Sequence, residues 1–233
     1  MKKTARLAGF LYLLASIIAL PSLVYVPGKL FVRGDVAATA NNLRASDALL
    51  RLGIASELFS SVVFIFLVFV LYRLFKAVSN KRAGLMATLI LLSIPIVFVN
   101  VLNEVAAAAL ASGRFSSVFD RGQLDALAYL FLHLHHRGFA LAEIFWGLWL
   151  FPFAMLIIRS EFIPRVLGFL LLIAGCGYLL GPINFLFLPR PLPEVTLLES
   201  ILAAAGELPI IFWLLICGVK RKDSASNAVD VRT

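Results

Sequence analysis

Six blocks of apolar residues divide this sequence, each near or above the roughly 20 that an α-helix needs to cross a ~30 Å hydrocarbon layer. Such a chain cannot hide its apolar surface in water: 61% of its residues are hydrophobic and 15% charged, against about half and about a quarter in soluble domains. No block alternates with a period of two, which argues against an outer-membrane barrel. The expected fold is all-α, a polytopic transmembrane helix bundle of six spans, forming a single domain over 1–222 with a polar, disordered tail over 223–233.

The spans are expected near Arg6 to Val26, Asp47 to Phe75, Ala83 to Ala111, Leu124 to Ile158, Arg165 to Leu188 and Thr196 to Val219. The first follows Met-Lys-Lys as a secretory leader would. It has no clear A-x-A site and outruns a leader's core, so it is expected to remain as a helix. The net charge of +8 does not form one basic face suited to nucleic acid. Twelve basic residues, among them Lys2, Lys3, Lys76, Lys81, Arg82, Arg159 and Arg165, gather at one set of block ends, against seven at the other. This bias places both termini in the cytoplasm and the chain in the cytoplasmic (inner) membrane.

The connections add detail. The turns Lys76 to Arg82 and Ser160 to Pro164 are short enough for antiparallel hairpins. Pro27 to Ser46 is longer, with Asp35 to Arg44 suited to a surface helix and Ser46 to an amino-terminal cap. Leu188 to Pro193 is too proline-rich to be helical. Pro21, Pro95, Pro152, Pro182 and Pro209 interrupt spans, predicting several proline-kinked helices. Cys176 and Cys217 lie in apolar blocks without the spacing of a disulfide, redox or metal motif.

Polar residues inside the blocks are the candidates for function. At about 1.5 Å per residue, Glu57, Asn100, Glu104, Glu143, Asn184 and Glu207 all fall roughly 20 to 31 Å above the inner helix ends. Helical spacing also gathers them into stripes: Ser56, Glu57, Ser60 and Ser61; Ser93, Asn100, Asn103 and Glu104; His133, His136, Ala140, Glu143 and Gly147. A carboxylate facing lipid is costly, so the stripes are expected to face one another around a polar cavity opening outward. The structural alternative is that these groups bind helix to helix, with some carboxylates protonated and others paired with Arg51 or Arg137.

His133, His136 and Glu143 offer zinc or another divalent metal suitable donors. No two histidines here stand four apart, however, and His135 is assigned to another face. The alternatives for the cluster are interfacial anchoring or a proton-responsive pair. No Gly-rich phosphate loop, H-E-x-x-H or G-x-S-x-G is present. Gly168, Gly175, Gly177 and Gly181 are assigned to close helix packing, and Trp146 and Trp149 to packing or the interface.

Several segments in order carry a family resemblance: Arg6-Leu-Ala-Gly-Phe-Leu-Tyr-Leu-Leu, Ala38-Thr-Ala-Asn-Asn-Leu, Leu49-Leu-Arg-Leu-Gly-Ile, Phe145-Trp-Gly-Leu-Trp-Leu-Phe-Pro and Arg159-Ser-Glu-Phe-Ile-Pro-Arg-Val-Leu-Gly. Together they resemble the DUF4386 domain-of-unknown-function family of prokaryotic multi-pass membrane proteins. The resemblance implies a bacterial or archaeal cytoplasmic-membrane protein and brings no activity, substrate or cofactor.

The favoured expectation is a binding or transport module for a small polar or amphipathic ligand, non-enzymatic and without a required cofactor. Two alternatives stay open: a metal- or proton-dependent intramembrane enzyme using His133, His136 and Glu143, and an accessory protein packed against another membrane protein. The lipid bilayer is the one partner that the pattern demands.

Overall fold

The computed structural model describes residues 1–188 and 192–219. The expected tail over 223–233 and the centre of the proline-rich segment, 189–191, lie outside the described residues. Eight α-helices and no strand occur among those described: α1 (Lys2–Leu20), α2 (Val26–Leu30), α3 (Val36–Ala45), α4 (Asp47–Phe75), α5 (Asn80–Ala111), α6 (Arg121–Arg159), α7 (Arg165–Phe187) and α8 (Pro193–Phe212). Two π-helical turns, Pro21–Tyr25 and Trp213–Cys217, extend α1 and α8. Six helical stretches are long and apolar enough to cross a membrane. The chain is a multi-pass membrane protein.

Local chemistry accounts for most boundaries. The Asp35 side chain accepts from the Ala38 amide at 2.8 Å and starts α3, the surface helix expected there. Ser79 caps α5, and Asp120 with Gln123 closes a reciprocal capping box on α6. Ser46 stands at the cap position of α4 without a side-chain bond. Pro193 opens α8 as its first residue, where the missing amide is harmless. Pro21 begins the first π turn, and the second lies one turn beyond Pro209.

The spans form a ring in the order α1, α4, α5, α6, α7 and α8, which closes where Trp213–Cys217 packs on α1. Closure is tight: a Cβ on Gly9 would stand 2.3 Å from the Leu215 amide nitrogen. At this end, an apolar cluster gathers Tyr12, Phe75, Met86, Trp149, Phe153, Ile157 and Leu171. A second, smaller cluster at the opposite end joins Val26, Leu30, Leu43, Leu50, Leu110 and Leu132. In sequence, Glu57, Asn100, Glu104 and His135 fall between the two clusters on their helices, and all are buried.

Candidate functional site

The face that α6 turns inward is marked by Leu124, Ala128, Leu132, His135, Ala142, Trp149 and Phe153, all buried and spaced in steps of three, four or seven. His135 belongs to this apolar series. Its imidazole lies between two carboxylates, with Nε2 3.2 Å from Oε2 of Glu57 and Nδ1 3.7 Å from Oε1 of Glu104. Asn100 lies beside them. Its amide donates to the His135 carbonyl at 2.9 Å, while Asn103 donates to the Asn100 side-chain oxygen at 3.2 Å. Three spans thus deliver Glu57, Glu104 and His135 to one point.

The serine stripe has a different role. Ser60 donates to the Ala15 carbonyl at 3.0 Å, and Ser56 donates to the Ile18 carbonyl, joining α4 to α1 just before its π turn. Ser93 bonds the Ile90 carbonyl of its own helix at 2.7 Å. Ser56 and Ser60 thus fasten α4 to α1, whereas Ser93 is satisfied within α5.

Two cavities adjoin within the ring. The first, about 480 Å³, lies among α1, α4, α5, α6, α7 and α8, and its lining is mainly apolar. At its floor the Tyr12 hydroxyl donates to the Glu207 carboxylate, which Tyr178 also faces. Leu20, Leu23 and Val24 line it on one side and Ser200, Ala203, Ala204 and Leu208 on the other. Exposed Leu20, Leu23, Val24 and Leu208 make its rim, so the lining reaches the face that lipid would cover.

The second cavity, about 830 Å³, is lined by Arg33, Tyr129, His133, His136, Arg137, Glu143, Asn184 and Glu199 among others. Ser22, Leu23, Phe139 and Trp146 line both cavities and form their common wall. A Cβ on Gly181 would meet Glu199 Oε2 at 2.5 Å and Glu143 Oε2 at 2.6 Å. The missing side chain therefore leaves space for both carboxylates. Gly168, Gly175 and Gly177 face neighbouring helices closely, as expected, whereas Gly181 makes room for acidic groups.

The remaining sequence candidates find other partners. His133 accepts from Arg137 Nε at 3.3 Å, and the Arg137 guanidinium lies 4.6 Å from the centre of the Phe185 ring. The His136 and Phe31 rings make a T-shaped pair with centres 4.8 Å apart. Asn184 fixes the segment before α8 by exchanging bonds of 3.0 and 2.9 Å with the Leu192 backbone. Arg51 pairs with Asp47 on its own helix. Helical spacing alone missed His135, Glu199, Tyr12 and Tyr178.

Two of the six candidate carboxamides and carboxylates, Glu57 and Glu104, therefore meet at His135, and Asn100 binds that residue's backbone. Glu143 lies in the second cavity with Glu199, and Glu207 lies in the first. A family model described as a domain of unknown function (DUF4386) matches residues 7–218. No curated protein and no solved structure matches the chain.

Proposed function

The chain belongs to the DUF4386 family of membrane proteins, and we propose that it binds an amphiphile, with the apolar tail in the first chamber and the polar head in the second. One observation carries this reading: a greasy cavity and a polar one share the wall of Ser22, Leu23, Phe139 and Trp146. Their volumes fall within the roughly 300–1,000 Å³ of cavities that hold small organic ligands. The rim between α1 and α8 supplies an entry from the bilayer, so the tail need not cross water.

The polar chamber indicates the kind of head. Glu143 and Glu199 share the space above Gly181, and Arg33 and Arg137 line the same cavity. A head carrying both a cationic and an anionic group would complement these charges. With the basic helix ends in the cytoplasm, the polar chamber opens on the opposite side of the membrane. Movement of α1 against α8 around the Gly9 contact would then make binding a step in transport.

Native mass spectrometry of detergent-purified protein, incubated with zwitterionic or purely anionic lipid, tests this reading. The expected result is one retained zwitterionic lipid per chain, lost when Ala203→Trp fills the tail chamber. Glu143→Gln combined with Glu199→Gln should erase the preference for the zwitterion. Equal retention by the wild type and Ala203→Trp would overturn the assignment.

A further inference from the structure

Between the apolar clusters, Glu57, Glu104 and His135 are only 4%, 6% and 4% exposed. Hydrogen bonding leaves their needs unmet. His135 reaches one Glu57 oxygen at 3.2 Å, but its 3.7 Å separation from Glu104 is too long for a hydrogen bond. Oε1 of Glu57 and Oε2 of Glu104 are buried without a partner. Orphaned buried carboxylate oxygens are destabilising, and a donor or a cation is what each lacks.

We propose that Glu57, Glu104 and His135 bind a divalent transition-metal ion of the zinc or manganese type. One donor atom from each residue lies within 4.8 Å of the others. Ligands held 2.0–2.1 Å from zinc in a tetrahedron stand roughly 3.4 Å apart, so the most separated donors need to close by up to about 1.4 Å. Two ionised carboxylates and a neutral imidazole carry two negative charges, which the ion cancels where water cannot. The imidazole favours this class over calcium or magnesium, whose preferred ligands are oxygens.

The ion would join α4, α5 and α6 from within. It would also have a route to ligand: Glu57 lines the apolar chamber and His135 the polar one. Three protein donors leave a further coordination position, as in metal sites that take water or substrate. This site differs from the His133, His136 and Glu143 set considered in the sequence, and it stands whether or not an amphiphile occupies the chambers.

The test uses full-length protein, purified in detergent, stripped with a chelator and exposed to Zn²⁺ or Mn²⁺ alone. After desalting, elemental analysis should find one ion per chain in the wild type and in His136→Ala. Glu57→Gln, Glu104→Gln and His135→Gln should each reduce uptake at least tenfold. Electron-spin-echo spectra of the Mn²⁺-loaded wild type should show coupling to one imidazole nitrogen, a readout independent of how the variants fold. No stoichiometric uptake, no nitrogen coupling, or uptake lost in His136→Ala but kept in Glu104→Gln would overturn the proposal.

Discussion

Asn100 shows how a single side chain positions the buried cluster. A Cβ on Gly138 would stand 1.9 Å from its side-chain oxygen, so the glycine's missing methyl is what lets Asn100 lie against α6 and bond the His135 carbonyl. Gly138→Ala should therefore lower stability by about 1–3 kcal/mol, the usual effect of overfilling a packed site. Adding Asn100→Ala should recover part of the loss, because the new methyl then occupies vacated space. Denaturant unfolding of the two single variants and the double variant reads the coupling; strictly additive losses would show that the two residues act apart. Gly181→Ala should behave differently, since the groups above it are the ends of two glutamates. Its stability should stay within about 1 kcal/mol of the wild type, while zwitterionic lipid retention falls; unchanged retention would remove the acidic pair from the head site. The similar depth of Glu57, Asn100 and Glu104 was legible in the sequence, and the three gather at His135. His135 was less legible, because its neighbouring histidines suggest a separate polar face, whereas it continues the spacing of buried Leu124, Ala128 and Leu132.

At the level of elements, the decisive contact joins the first span to the last. The Gly9 backbone meets that of Leu215, while toward the other end the apolar chamber lies between Val24 and Ser200. Gly9→Leu should force this contact open and destabilise the chain by on the order of 1–3 kcal/mol or more. Gly28→Ala, with nothing within 4 Å of the added carbon, should be close to neutral. Thermal unfolding in detergent compares them, and equal midpoints would refute the contact's importance. The blocks of apolar residues revealed the spans, but nothing local revealed this pairing. It joins residues some two hundred positions apart, and only the closed ring brings them together. Pro21 opens a π turn, and Pro95, Pro152 and Pro182 lie inside continuous helices, where neighbouring spans can accommodate the freed carbonyls.

For the whole molecule, six helices long and apolar enough to cross a membrane would, if all cross, bring the start of the first and the end of the last to the same side, and the charge asymmetry predicts that this side is the cytoplasm. Lys76 in the α4–α5 turn and Arg114 in the α5–α6 turn mark opposite ends of the bundle, and both are exposed. The short basic turns around Lys76 and Arg159 are of the length over which positive charge governs orientation. Cys176 and Cys217 are free and exposed, so a background with both changed to Ala allows single reporters. In intact cells a membrane-impermeant maleimide should label Arg114→Cys, and should label Lys76→Cys only after permeabilisation. The reverse pattern would turn the bundle over and direct the polar chamber to the cytoplasm. Labelling of both in intact cells would contradict a crossing by α5 itself. The outcome bears directly on the amphiphile reading. On that reading the tail would enter the apolar cavity from the bilayer in either orientation, whereas the side on which Arg33, Glu143 and Glu199 meet water would decide which leaflet supplies the head.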